Sequence, residues 1–155
     1  MEKKAEKFVS PLHIPVFLIA ADDIAAPMCV TMASILANTK AFIEFYILER
    51  SSLKISPEKK ERIEKLRNRY SAFSIEYIEV NPDDFAGLAP TTAGYIPNDT
   101  YFRYIIPELK PEIKKAVYLD VDIIVKKDIA DLYCEKLGKN YIVRRFFRQM
   151  MNFRY

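Results

Sequence analysis

Three short runs rich in β-branched, aliphatic and aromatic residues, Ile14–Ala20, Ala41–Leu48 and Phe73–Val80, alternate with two stretches of helical periodicity. This alternation constrains the fold more than any other feature of the 155-residue chain. Each run is separated from the next by enough residues for a crossover helix and too many for a hairpin, so the strands are expected to lie parallel. The IPVFLIA run has no polar alternation and reads as a strand buried on both faces. Met28, Thr31, Met32, Ile35 and Leu36 recur at three-to-four spacing, which predicts a helix over 27–38 with Pro27 in its first turn. Ser56-Pro57-Glu58 is a helix start, and the spacing of Ile63, Leu66 and Tyr70 carries that helix to about residue 70.

Residues 81–98 contain three prolines and two glycines and read as a long irregular loop of the kind that carries function. A short helix over 100–106, capped by Asn98 or Asp99 and closed by Pro107, should follow. A fourth strand is expected at Ala116–Leu119, a short extended piece at Ile123–Val125, a helical turn or two at Asp128–Tyr133, and a fifth strand at Tyr141–Val143. The fold class is α/β, with a mostly parallel, doubly wound sheet.

Such sheets bind ligands at the carboxyl ends of their strands. Two acidic clusters fall there: Asp22-Asp23 after the first strand, and Asp120-Val121-Asp122 after the fourth. Side chains alternate along an extended segment, so Asp120 and Asp122 should face one way while Val121 faces the protein. Two carboxylates on one face suit a hard divalent cation, Mg²⁺ or Mn²⁺. A bare Asp-x-Asp arises by chance in about one of two chains of this composition, so a turn-and-cap role stands beside the metal site. Asp22-Asp23 fits either an N-cap of the next helix or a contact to a nucleobase or ribose. Arg103 fits either a phosphate or carboxylate partner or an ordinary surface arginine.

Other chemistries are excluded or bland. With only Gly87, Gly94 and Gly138, neither a P-loop nor a dinucleotide fingerprint is possible. No Cys/His cluster has zinc spacing, and Cys29 reads as a packed thiol in a reducing compartment. His13 reads as structural or solvated. The interleaved charges of 57–70 read as a solvated face and exclude a nucleic-acid patch. No apolar run reaches the roughly 18 residues of a membrane span, and Pro11, His13 and Pro15 break the N-terminal apolar stretch, so no export signal is read. The net charge of +3 is uneven. Lys139, Arg144, Arg145, Arg148 and Arg154 lie in a closing segment without an acid, and the rest of the chain is slightly acidic.

Longer motifs point to one family. Phe17-Leu-Ile-Ala-Ala-Asp-Asp23 with Ser34-Ile-Leu-Ala-Asn-Thr39, Asn81-Pro-Asp-Asp-Phe85, Thr100-Tyr-Phe-Arg-Tyr104 with Ile106-Pro-Glu-Leu109, and Lys115-Ala-Val-Tyr-Leu-Asp-Val-Asp-Ile-Ile-Val125 with Asp128-Ile-Ala-Asp-Leu-Tyr133 occur in order over residues 14–143. Together they resemble the family 8 glycosyltransferases, the group containing lipopolysaccharide galactosyltransferases and glycogenin. The resemblance implies a GT-A fold, Rossmann-like and typical of nucleotide-diphospho-sugar transferases. It implies a UDP-sugar donor, Mn²⁺ (or Mg²⁺) as cofactor, and hexosyl transfer to a saccharide or lipopolysaccharide acceptor with retention of configuration. By position, Asp120 and Asp122 would hold the metal, and with Val121 would contact the donor. Ala20, Ala21 and Asp22 would line the uridine pocket, and Arg103 would contact the donor and nearby acids.

The chain also departs from the family pattern. Ile24-Ala25 stands where the family has Asn-Tyr, so a polar and an aromatic donor contact are missing. Family members are about twice as long, and their later half supplies a third metal ligand, a His, and the catalytic and sugar-facing residues. The expectation is a truncated, poorly active or inactive transferase: a nucleotide-sugar-binding half-domain over 1–142 and a divergent basic-aromatic tail over 143–155 that looks like a frameshift. The setting would be cytoplasmic, with the tail against the inner face of the membrane, and exposed apolar surface favouring self-association. Two alternatives accompany this reading. One is a phosphatase of the haloacid-dehalogenase type, in which one Asp is a nucleophile and the other a general acid; no Thr or Gly follows the motif to support it. The other is a non-catalytic nucleotide-binding remnant.

Overall fold

The computed structural model describes residues 11–81 and 102–138. β1 (His13–Ala20), β2 (Phe42–Arg50) and β3 (Phe73–Val80) are joined by α1 (Ala25–Asn38) and by α2 (Pro57–Glu64). After the undescribed stretch come α3 (Ile106–Leu109), β4 (Val117–Tyr118) and α4 (Ile129–Tyr133). The four strands form one sheet in the order β3-β2-β1-β4, and every pairing is parallel. The chain returns from one edge, β3, to the far side of β1, which puts β1 at the centre of the crossover.

Alternation along β1 divides its side chains between two apolar layers. Ile14, Val16, Leu18 and Ala20 pack with Met28, Met32 and Ile35 of α1. Phe17 faces the other way, with Leu48, Val80 and Phe102, and the segment from Ile105 to Ile113 closes over that layer. The five α1 positions expected to face inward, Met28, Thr31, Met32, Ile35 and Leu36, are all buried. β3 falls where its sequence places it.

Several elements differ from expectation for identifiable reasons. α2 ends at Glu64 and continues as a tighter 3-10 turn, Lys65–Asn68, which still packs Leu66 and Tyr70 on the core. Pro107 opens α3 instead of closing a helix, consistent with a ring that lacks an N–H but suits the first turn. Arg103 therefore sits in a separate 3-10 turn over 102–104. β4 keeps two ladder residues, and among the described residues Ile123–Val125 pairs with no strand. The expected fifth strand Tyr141–Val143, the tail 143–155, the start of the helix at Thr100 and the loop from residue 82 lie outside the described residues.

Candidate functional site

The site is the carboxyl edge shared by β1 and β4. Phe17 pairs with Tyr118, and Leu119 N donates to Phe17 O at 3.2 Å. Continuing that register sets Asp120 level with Ile19, next to Ala20, Ala21 and Asp22 at the end of β1. The fold thus brings together the two acidic clusters that the sequence placed 97 positions apart.

At the Asp-x-Asp pair, Val121 is half-buried and packs against the core, while Asp120 and Asp122 are exposed. Burial follows the expected out–in–out alternation, but the backbone turns at Val121–Asp122 instead of running on as a strand. Tyr118 O–H donates to Asp120 Oδ1 at 3.3 Å. Arg103 lies over the Tyr118 ring, 5.0 Å from its centroid, on the same phenol that donates to Asp120. Burial pushes the Tyr118 hydroxyl up to about 12; the Arg103 charge opposes this and Asp120 adds to it. The phenol is therefore a hydrogen-bond donor throughout the neutral range.

The segment after the pair is held by α1. Thr31 Oγ1 lies 2.8 Å from both the Val121 and Ile123 carbonyl oxygens. Ser34 Oγ accepts from Val125 N at 2.9 Å, and Asn38 Nδ2 donates to Val125 O at 2.9 Å. Thr39 Oγ1 donates to Asp128 Oδ1, the same oxygen that caps α4 through Ala130 N.

Ala20 and Ala21 are buried at the end of β1. Asp22 does not cap its own helix: no side-chain bond caps the 3-10 turn Asp22–Ile24 or α1. Instead its Oδ1 accepts from Ser56 N at 2.8 Å and its Oδ2 from Lys59 Nζ at 2.6 Å, and Lys59 also reaches Asp22 O. The Lys59 ammonium and the Ser56 N–H hold the Asp22 carboxyl down at about 2. Next to it, Glu49 at the end of β2 is buried and accepts from Ile55 N and Lys60 Nζ. The outer face of α2 is not uniformly solvated, since Lys59 and Lys60 turn back to neutralise the two carboxylates of the rim. Nothing in the local sequence separates these lysines from their neighbours. Ser34 and Asn38 were visible as polar positions at helical spacing from the buried Thr31. Tyr118 was visible only as part of the motif.

Two carboxylates with hard oxygens fit a Mg²⁺ or Mn²⁺ ion that keeps waters or diphosphate oxygens in its other positions. Among the described residues, no group of three or more His, Cys, Asp and Glu forms a fuller cage.

The fold has counterparts among solved structures. The galactosyltransferase LgtC, in complex with donor and acceptor sugar analogues, superposes with a TM-score of 0.67 at 31% identity, over 81% of this chain and 44% of LgtC. The WbbM bifunctional glycosyltransferase superposes with a TM-score of 0.64 at 25% identity, over 86% of this chain and 23% of WbbM. The architecture is thus that of GT-A glycosyltransferases. The sequence matches the model of glycosyl transferase family 8 over residues 15–154, and the chain belongs to that family. The match includes residues 143–154 of the basic-aromatic segment. A Haemophilus influenzae protein named as a glycosyltransferase is 33% identical over 126 residues, covering 81% of this chain and 37% of the relative. Glycosyltransferase 8 domain-containing protein 1 of Bos taurus is 31% identical over 133 residues, covering 78% and 32%. The chain spans well under half the length of these relatives. The family assignment removes the phosphatase alternative.

Proposed function

We propose that the chain is the nucleotide-sugar-binding part of a retaining hexosyltransferase that takes a UDP-sugar donor and a saccharide acceptor, such as a lipopolysaccharide. The observation that carries this reading is the parallel pairing of β1 with β4. It brings Ala20, Ala21 and Asp22 to the same sheet edge as Asp120 and Asp122. The LgtC complex with donor and acceptor sugar analogues supports the same two kinds of partner.

In this reading Asp120 and Asp122 hold Mn²⁺ or Mg²⁺, an ion that offsets negative charge on a departing diphosphate. Ala20 and Ala21 offer a small-residue wall against which a flat base packs. Asp22 presents a carboxylate that stays ionised, and so accepts hydrogen bonds, at any physiological pH. Tyr118 orients Asp120, and Arg103 places a positive charge behind that phenol. With Ile24-Ala25 in place of a polar and an aromatic residue, the base is held by fewer contacts, and weak UDP affinity is expected.

Calorimetry with UDP and Mn²⁺ on the wild type and on Asp122→Asn tests the proposal. A metal-dependent heat that disappears in the variant is expected. Equal heats from the two proteins would refute the site.

A further inference from the structure

We infer that Thr31, Ser34 and Asn38 of α1 are positioning residues for the acidic pair, acting as a polar rack that fixes the backbone on which Asp122 is carried. The inference rests on the metal site proposed above and extends it to residues that touch neither metal nor donor.

The ladder ends at Tyr118, and among the described residues no strand pairs with 121–125 to satisfy their backbone groups. Buried or half-buried peptide groups need partners. The side chains of this stretch, Val121, Ile123, Ile124 and Val125, are apolar and supply none. Positions 31, 34 and 38 of α1 do, because spacings of three and four stack side chains on one helix face. Thr31 is fully buried, an unusual place for a hydroxyl unless it is paired. Its one proton is shared between the carbonyls of Val121 and Ile123, at 2.8 Å each, and these carbonyls flank Asp122. Ser34 Oγ takes the Val125 N–H and passes its own proton to Thr31 O at 2.7 Å. Asn38 Nδ2 completes Val125 by donating to its carbonyl, and also to Ser34 O at 2.9 Å.

All four contacts go to main chain 87 to 92 residues away. They fix where the peptide planes lie and leave the Asp122 carboxylate free. Tyr118 steadies Asp120 from the strand side. The pair is therefore oriented from two independent elements, α1 and β4. Among the described residues no third carboxylate, His or Cys joins the pair, so the affinity of these two ligands depends on such support. Partners outside the ligand set are commonly worth 10–100-fold in metal affinity.

The test is a Mn²⁺ titration of the 155-residue chain in the presence of UDP, followed by the electron paramagnetic resonance signal of free Mn²⁺. Wild type, Asp122→Asn, Thr31→Val and Thr31→Ser are compared. Thr31→Val keeps the shape and removes the hydroxyl; Thr31→Ser keeps the hydroxyl. Mn²⁺ affinity about 10-fold weaker in Thr31→Val, wild-type affinity in Thr31→Ser and unchanged binding of UDP without metal would bear the inference out. Wild-type Mn²⁺ affinity in Thr31→Val would overturn it. So would equal losses in the Val and Ser variants, because then packing and not the hydroxyl matters. If Thr31→Val does not fold, the double variant Ser34→Ala/Asn38→Ala replaces it, and undiminished Mn²⁺ affinity there overturns the inference. Wild type that takes up no Mn²⁺ with UDP refutes the metal site itself and this inference with it. Wild type that binds while Asp122→Asn does not leaves the site standing and tests the rack alone.

Discussion

The carboxylate of Glu49 is the most consequential charge in the described part of the molecule, and its pairing makes a sign-specific prediction. Glu49 is 3% exposed. One oxygen accepts from Ile55 N at 2.7 Å and the other from Lys60 Nζ at 2.5 Å. Lys60 is itself pinned over the Tyr77 ring, 4.0 Å from the centroid. Replacing Glu49 by Leu removes two hydrogen bonds to a charged acceptor, worth about 1.5–3 kcal/mol each. It returns about 1.5–3 kcal/mol through burial of an apolar side chain, and Lys60, 28% exposed, can rehydrate. The net loss should be about 1.5–3 kcal/mol, which lowers Tm by about 4–10 °C for a chain of this size. Lys60→Met should cost more, about 3–5 kcal/mol, because it leaves the buried carboxylate without its counter-charge. Combining the two substitutions should recover part of the larger loss. The chain has no Trp, so urea unfolding followed by far-UV circular dichroism is the assay. As a control, Glu58→Gln breaks an exposed pair with Arg62 and should change stability by less than about 0.5 kcal/mol. If Glu49→Leu melts below Lys60→Met, or neither differs from wild type, the reasoning from desolvation fails.

Other consequences can be checked with the same apparatus. The Asp22 carboxyl sits at about 2 against an ordinary 3.8. Its contribution to stability is therefore complete above about pH 4 and lost as pH falls through 2. Wild type should destabilise more steeply over that interval than Asp22→Asn, and parallel curves would contradict the Lys59 pairing. Phe17 is fully buried and stacks on Tyr46 with centroids 4.8 Å apart, so Phe17→Ala should cost about 3–5 kcal/mol. A urea midpoint within error of wild type would place this ring outside the core. Gly138 has φ +60 and no atom within 4 Å of an added Cβ. Gly138→Ala should then lose about 1 kcal/mol from backbone conformation alone, and Gly138→Asn less; a larger loss in thermal melts would require a contact there.

Sequence patterns disclosed whatever depends on periodicity. The buried face of α1, the limits of β3 and the presence of Asp120 and Asp122 at a strand's end all follow from spacing and local composition. Patterns failed where a long-range partner decides the outcome. Asp22 looked like a helix cap because cap and ligand roles share residue types; the Ser56 N–H and Lys59, on the next helix, claimed it instead. Ile123–Val125 read as a short extended piece, but the pattern gave no sign that its backbone bonds go to helix side chains. Pro107 reads equally as an end or a beginning, and only the following Glu108-Leu109 turn resolves it. The stacking of Arg103 on the Tyr118 ring could not be seen from the sequence because no spacing rule marks a contact between a helical turn and a strand 15 residues on.

The junction of β4 with β1 consists of two residue pairs, Val16 with Val117 and Phe17 with Tyr118. Joining them closes a loop of about 100 residues, at an entropic cost of about 4 kcal/mol. The three strands that precede it can pair among themselves as the chain leaves the ribosome, whereas this contact must wait until residue 118 has been synthesised. The edge that carries Asp120 and Asp122 is therefore set beside β1 only after the three preceding strands have been made, and a nascent chain short of residue 118 lacks it.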